Sequence, residues 1–247
     1  MAIDRRQKFC FILAILLVIS FVYFLHHFSL RDKIMRRLRP ASPQESIEII
    51  KYFSFSDQNC LKEWKEKTLK GRVRYSIQKT GEECCLDAAS EKTASALFYK
   101  TRLIINRSPL ISWKWKISEL PAKTSEDLGD KKTDDFAARV YVIFPAKFFL
   151  NTKSIEYIWA NGLKEGDMAR SPYTKNIVLF VVRSGDIKDE WFLEQRDIYR
   201  DYKMAFGEEP RMDVGAIAVM TDSDTTKTRA QAQYDEIKIG YRKEKEK

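Results

Sequence analysis

The chain has 247 residues, a net charge of +9 and 13% aromatic residues, which is enough to build one sizeable apolar core. Its two histidines, His26 and His27, lie near the N-terminus. The rest of the chain therefore has no histidine for a Ser-His-Asp triad, a Cys-His nucleophile or a histidine-ligated metal site. No basic stripe with interleaved aromatics indicates a nucleic-acid partner, so none is expected.

The N-terminal part of the chain predicts a membrane segment. A basic region at residues 1–8 precedes an uncharged apolar run at residues 9–28, which is about the ~20 residues that a transmembrane helix needs. No small-residue cleavage site follows the run, which favours an uncleaved anchor over a signal peptide. Residues 29–45 form a basic flank and linker broken by Pro40 and Pro43.

The orientation of this anchor has two readings. The Lys and Arg residues after the run outnumber those before it, and the positive-inside rule would then keep the C-terminal domain in the cytoplasm. A single apolar run at the N-terminus is also typical of exported bacterial proteins, which would place the domain in the periplasm, anchored to the inner membrane or secreted after signal cleavage.

Residues 46–241 are predicted to form one domain, followed by a charged tail at residues 242–247. Short segments of alternating or continuous apolar residues predict strands at 72–78, 111–118, 136–144, 155–160, 177–182, 214–220 and 233–241. Two short helices are expected at 59–70 and 198–206, each followed by a glycine. The fold class is therefore all-β, a jelly-roll-like β-sandwich with one or two short helices after an N-terminal transmembrane helix.

The strand at residues 136–144 carries the first candidate ligand-binding residues. Its alternation places Phe136, Ala138, Val140, Val142 and Phe144 on one face and Arg139 and Tyr141 on the other. Together with Asp134 and Asp135 just before the strand, Arg139 and Tyr141 are predicted to contact a polar ligand. The alternative is that Arg139 makes a structural ion pair with a nearby aspartate.

The loop after the strand at 214–220 is a candidate metal site. Asp222 and Asp224 alternate along it, and carboxylate oxygens are the ligands that Ca²⁺ prefers. They supply only part of the six to eight oxygens required, and the alternative is a turn whose side chains satisfy their own backbone.

The aromatic and sulfur-bearing residues are less specific. Trp113 and Trp115 share a face with Ile111 and Ile117, which predicts the core and places Lys114 and Lys116 on the opposite face. Trp159 lies at a strand end and is a candidate for stacking on a ligand. Three cysteines follow the apolar run, and they are expected to be buried thiols, with a bridge from one to another as the alternative in an oxidising compartment. They are Cys60, Cys84 and Cys85.

The ordered set of short motifs resembles the bacterial family called domain of unknown function 3047. The resemblance covers the chain from about residue 52 to residue 241, and its motifs are at 94–97, 110–117, 134–141, 157–160, 201–202, 206–210 and 221–225. It implies a secreted or envelope domain, and supplies no activity. The ending at 234–239 is also similar to the last strand of galactose-binding-like jelly rolls, which implies that Asp235 helps to bind a structural calcium ion.

Three functions remain as hypotheses. The first is a membrane-tethered envelope module that binds a carbohydrate or another polar ligand on a sheet face, without catalysis. The second is a non-catalytic interaction or assembly factor with an envelope protein as its partner. The third is a carboxylate-based glycan-active enzyme, which needs two acids about 5–10 Å apart.

Overall fold

The computed structural model describes residues 45–56, 58–80, 83–186 and 188–243. The predicted anchor at residues 9–28 lies outside these ranges. Across the described residues, no helix combines the length and the apolarity that crossing a bilayer requires.

Thirteen strands and one α-helix, α1 (Ile198–Phe206), make up the described domain. The strands are β1 (Ile47–Phe53), β2 (Lys65–Lys70), β3 (Arg74–Thr80), β4 (Glu83–Glu91), β5 (Ala94–Leu103), β6 (Pro109–Glu119), β7 (Ala138–Phe144), β8 (Lys153–Ala160), β9 (Met168–Ser171), β10 (Thr174–Ser184), β11 (Phe192–Asp197), β12 (Val214–Asp222) and β13 (Arg229–Arg242).

The strands form two sheets. The first has the order β11-β6-β13-β4-β3, with β1 pairing to β13, and the second has the order β2-β5-β12-β7-β8-β10-β9. The connections β4 to β5, β5 to β6, β6 to β7, β11 to β12 and β12 to β13 each cross from one sheet to the other, while β4 pairs with β13 and β5 with β12. This nesting of first strands against last strands is the order of a jelly roll, and the predicted all-β sandwich is confirmed.

The core lies between the two sheets and is rich in aromatic rings. Trp113 and Trp115 of β6 are fully buried, as their alternation predicts. Across the interior, Trp113 stacks on Tyr157 at 5.3 Å between ring centroids, and Trp115 packs on Trp159 at 5.7 Å. The alternation of β6 and β8 therefore points the largest side chains of both sheets into one shared interior.

A second, smaller apolar cluster lies on the outer face of the second sheet. It contains Leu128 and Phe136 from the long segment between β6 and β7, packed on Ile158 of β8 and on Leu179 and Val181 of β10. The prediction that Phe136 shares the face of Ala138 is wrong, because β7 begins only at Ala138. Ile158 alternates with the core residues on either side of it, so this segment covers the outward side of the sheet.

One predicted helix is confirmed and the other is wrong. The helix α1 begins after Asp197, whose side chain accepts a hydrogen bond from the amide of Arg200, and ends at Gly207 in the left-handed conformation. Residues 59–70 instead form a 3-10 helix, Gln58–Glu63, followed by the edge strand β2. Every residue of β2 is exposed, so this segment has no buried stripe to hold it as a helix and pairs its backbone with β5.

Candidate functional sites

Arg139 is the centre of a buried ionic cluster on the outer face of the second sheet. Its Nε donates to Asp222 at 2.7 Å, a terminal nitrogen donates to the other oxygen of Asp222 at 2.5 Å, and the remaining donors reach Asp134 and Glu156. Only 3% of its side chain is exposed. The register explains the meeting, because Tyr141 of β7 pairs with Glu156 of β8 and Arg139 pairs with Met220, two residues before Asp222.

This cluster holds three carboxylates against one guanidinium. Burial opposes the charge on Arg139, but Asp222 and Glu156 raise the pKa of Arg139 well above its usual value. Burial also raises the pKa of Glu156, and it raises the pKa of Asp222 to about 7 against the lowering effect of Arg139. Interacting acids of this kind titrate as a unit, so we expect the cluster to take up a proton near neutral pH.

The cluster binds residues 120–137, the segment between β6 and β7, to the outer face of the second sheet. Arg139 donates to the backbone oxygen and the carboxylate of Asp134, and its guanidinium lies 4.6 Å from the ring centroid of Phe136. Lys123 lies 3.8 Å from the same centroid and pairs with Glu126 at 2.8 Å; burial lowers the pKa of Lys123. Of the two sequence-based readings of Arg139, this geometry matches the structural ion pair.

The acids predicted for a metal divide between two places. Ligand oxygens of Asp222 and Asp224 lie within 4.8 Å of each other and of an oxygen of Asp135, whereas Asp235 lies on the other sheet. Asp135 accepts hydrogen bonds from the amides of Thr225 and Thr226, and Asp222 is held by Arg139. A calcium ion would compete with these donors, so the described residues fit a guanidinium as the cation of Asp222 better than a metal.

The two remaining predicted contact residues, Trp159 and Tyr141, lie on opposite sides of the second sheet. Trp159 is fully buried, and its indole N–H donates to the backbone oxygen of Gly185 at 2.9 Å. The prediction that Trp159 stacks on a ligand is corrected, because its ring packs on Trp115 and offers no face to solvent. Tyr141 does lie on the outer face, half-buried, with its hydroxyl 3.6 Å from the sulfur of Met220, and burial raises its pKa.

A different set of polar residues crosses the outer face of the first sheet. Gln233 of β13 pairs with Lys116 of β6 on one side and with Asp87 of β4 on the other. Asp87 pairs in turn with Ser76 of β3. Trp191 extends the line, because it directly precedes Phe192, which pairs with Trp115. These five residues, Trp191, Lys116, Gln233, Asp87 and Ser76, are called the polar row below.

Two members of the polar row are buried although they face away from the core. Asp87 is 0% exposed and Gln233 is 4% exposed. One oxygen of Asp87 accepts from the side-chain amides of Gln233 at 2.6 Å and Gln231 at 2.8 Å. The other oxygen, Oδ2, accepts no hydrogen bond from the described residues. Its nearest charged neighbour is the guanidinium of Arg74, at 3.9 Å and beyond hydrogen-bond range.

A cavity of about 510 Å³ opens on the same face, beside the polar row. A β-bulge in β13 shapes it, because the register with β6 shifts between Asp235 and Lys238 and Glu236 has φ of +45°. Hydrogen bonds from Lys114 and Lys238 lower the pKa of Glu236. The cavity is lined by Ser54, Ser56, Cys84, Lys114, Trp191, Asp235 and Glu236.

The three cysteines in the described ranges are free thiols. Cys84 is half-buried at the cavity, and Cys85 is buried beside it on β4. Burial raises the pKa of Cys85 to about 11, so its thiol stays protonated at neutral pH and is a weak nucleophile.

Sequence reasoning found Asp235 and Cys84 but missed the polar row. The alternation at 111–118 did place Lys114 and Lys116 outward, which was the available signal. Nothing local marks Asp87 or Trp191, because Asp87 meets Gln233 only through strands 146 residues apart in the chain.

The strand order defines a jelly-roll β-sandwich domain. The chain belongs to the family described as protein of unknown function (DUF3047), whose model matches residues 62–238. No curated protein sequence matches the chain.

Solved structures of similar fold include three carbohydrate-binding modules. The family 11 module of the cellulase Lic26A-Cel5E of Clostridium thermocellum is 9% identical, with 84% of this chain and 100% of that one covered and a TM-score of 0.40. TmCBM27, described for specific mannan recognition, is 9% identical over 80% and 99% of the two chains, with a TM-score of 0.38. CBM28, specific for non-crystalline cellulose, is 9% identical over 76% and 93%, with a TM-score of 0.38.

Proposed function

We propose that this domain is a non-catalytic glycan-binding module whose ligand lies along the polar row on the outer face of the first sheet. Residues 9–28 would tether it to the inner membrane, with the domain in the periplasm. The observation that carries the proposal is the buried pair of Gln233 and Asp87 on a face that points away from the core. The proposed ligand contacts thus differ from the residues that the sequence predicted.

The burial of this pair separates the polar row from an ordinary solvated sheet face. Outward residues of an antiparallel sheet normally extend into water. Gln233 and Asp87 are instead locked to each other, and the hydroxyl of Ser118 donates to Gln233 at 3.0 Å. Side chains fixed in this way present hydrogen-bonding groups at little entropic cost on binding, which suits the recognition of a hydroxyl-rich ligand.

The composition and length of the polar row also suit a glycan. It offers an amide, a carboxylate, a hydroxyl and an ammonium, and Trp191 supplies an apolar ring at one end. The Nζ of Lys116 lies 5.1 Å from the Trp191 ring centroid, so the indole is held in place. With strands about 4.8 Å apart, a row crossing five strand positions spans roughly 19 Å. An oligosaccharide matches that length better than a single sugar ring does.

The pKa of Glu236, one of the two acids that line the cavity, favours binding over catalysis. A general acid for glycoside hydrolysis needs a raised pKa. Hydrogen bonds from Lys114 and Lys238 lower the pKa of Glu236 instead, so this carboxylate stays ionised at neutral pH.

The test is a glycan array that includes cell-envelope polysaccharides, probed with the full-length chain in detergent, followed by titration calorimetry on any hit. We expect Gln233→Ala and Trp191→Ala each to weaken binding at least 10-fold. Tyr173→Ala is the matched control, since Tyr173 is an exposed aromatic that lies outside the polar row. Absence of any bound glycan, or wild-type affinity in both row variants, would refute the proposal.

A further inference from the structure

We infer that the polar row, if it binds a glycan as proposed above, recognises a neutral sugar through one hydroxyl group that bridges Asp87 and Arg74. The hydroxyl donates to Oδ2 of Asp87 and accepts from the guanidinium of Arg74. Arg74 of β3 lies outside the polar row, beside Asp87.

The distance between the guanidinium of Arg74 and the carboxylate of Asp87 leaves room for a bridging oxygen. The nearest nitrogen of Arg74 lies 3.9 Å from Oδ2 of Asp87, which is too long for a direct hydrogen bond. An oxygen placed about 2.8 Å from both atoms would see them roughly 90° apart, which one hydroxyl group can satisfy as donor and acceptor together. A polar gap of this size commonly holds a bridging oxygen.

Asp87 and Arg74 differ in how firmly their side chains are held. Asp87 is fully buried and fixed through its other oxygen by Gln231 and Gln233. The Arg74 side chain is 68% exposed, so it can turn aside as a ligand enters and then donate to the bound hydroxyl, while the carboxylate of Asp87 stays in place. Oδ2 is then an acceptor that already lacks a hydrogen bond from the described residues, and a ligand donor would relieve the cost of its burial.

The chemistry of the pair selects the charge of the sugar. An ionised carboxylate of a uronic acid has no hydrogen to donate to Asp87, and its negative charge is repelled at short range. The ammonium of an amino sugar donates but cannot accept, and it faces the guanidinium of Arg74. A hydroxyl is the group that meets both requirements. A uronic acid or an amino sugar also carries hydroxyl groups, but its charged group then lies close to the like charge of Asp87 or of Arg74, which is why a neutral sugar is inferred.

The experiment compares β-1,4-linked hexasaccharides of different charge on the full-length chain by titration calorimetry. Cellohexaose and mannohexaose are the neutral probes, chitosan hexaose is the cationic probe and a mannuronan hexamer is the anionic probe. We expect a neutral probe to bind at least 10-fold more tightly than either charged probe. Asp87→Asn should weaken binding of the neutral probe at least 10-fold, since a side-chain amide has one acceptor oxygen where the carboxylate of Asp87 has two.

Arg74→Met removes the donor and should weaken the neutral probe about 3- to 10-fold. Its matched control is Arg229→Met, because Arg229 is an equally exposed arginine of the same sheet that pairs with Glu91. Because Arg74 is exposed, Arg74→Met is expected to fold. It therefore tests the inference even if thermal melting shows that Asp87→Asn is unfolded.

The outcomes separate this inference from the proposed function. Tighter binding of a charged probe that Gln233→Ala abolishes would overturn the neutral-sugar inference and leave the glycan-binding proposal standing. Unchanged affinity for the neutral probe in Arg74→Met and in folded Asp87→Asn would also overturn the neutral-sugar inference and leave the glycan-binding proposal standing. Binding of no hexasaccharide and of no array glycan would refute the proposed function, and the inference would fall with it.

Discussion

Replacing Arg139 by methionine should destabilise the domain strongly at neutral pH. Arg139 supplies the guanidinium for Asp222, Asp134 and Glu156, and all of these side chains are at most 11% exposed. Methionine fills a similar volume without charge, so the substitution leaves three carboxylates without their cation. Breaking a buried charge cluster from one side costs about 3–5 kcal/mol.

That loss is a large fraction of the stability of a domain, which is typically about 5–15 kcal/mol. For a domain of this size it corresponds to a fall in Tm of about 6–20 °C. The loss should shrink in acid, because the carboxylates can then bind protons instead of the guanidinium. For each proton that the folded variant binds beyond those bound by the folded wild type, the difference in unfolding free energy falls by about 1.4 kcal/mol per pH unit of acidification.

The assay is urea unfolding of the full-length chain, followed by the fluorescence of the buried tryptophans at pH 7.5 and pH 5.5. Arg72→Met is the matched control, since Arg72 is 79% exposed and lies 3.8 Å from Glu66; surface pairs of this kind contribute about 0–1 kcal/mol. The reasoning is refuted if Arg139→Met costs less than about 1 kcal/mol at pH 7.5, or if its cost is the same at both pH values.

Three further outcomes follow from the same contacts. Burial raises the pKa of Asp222 to about 7, so its protonated form contributes stability in acid that is lost as pH rises. Wild-type stability relative to Asp222→Asn should therefore fall between about pH 4 and pH 7, and a flat difference in urea unfolding would contradict this. Gly240→Ala places a Cβ 2.0 Å from the backbone oxygen of Glu48, so it should cost about 1–3 kcal/mol, unlike Gly162→Ala, whose Cβ meets no atom within 4 Å. Millimolar Ca²⁺ should leave Tm nearly unchanged, whereas a rise that Asp224→Asn abolishes would support the calcium site predicted from the sequence.

The elements most accurately predicted are those specified by nearby residues. The helix α1 is predicted from the glycine just after its end, and the structure adds the aspartate that caps its start. The strand β6 follows from four apolar residues that alternate with polar ones, and its two tryptophans are buried as expected. The edge strand β2 could not be predicted in this way, because it exposes every side chain and is held by its pairing with β5.

At the candidate sites, the local sequence pattern predicted the direction of side chains but not their surroundings. The sequence correctly placed Arg139 and Tyr141 on the outward side of a strand, and it placed Lys114 and Lys116 on the outward side of another. It could not show that the segment ending at Phe136 covers the first of these faces and encloses Arg139 among carboxylates.

The sequence by itself determined the class of fold, the helix α1 and the core-facing side of β6, because the alternation of side chains and the capping of helices are properties of neighbouring residues. Only the tertiary structure decided which outward faces are covered and which polar residues meet, as Asp87 meets Gln233 across 146 residues of chain. The physical reason is that strand register and sheet order depend on packing between distant segments, and no period in the sequence encodes that distance.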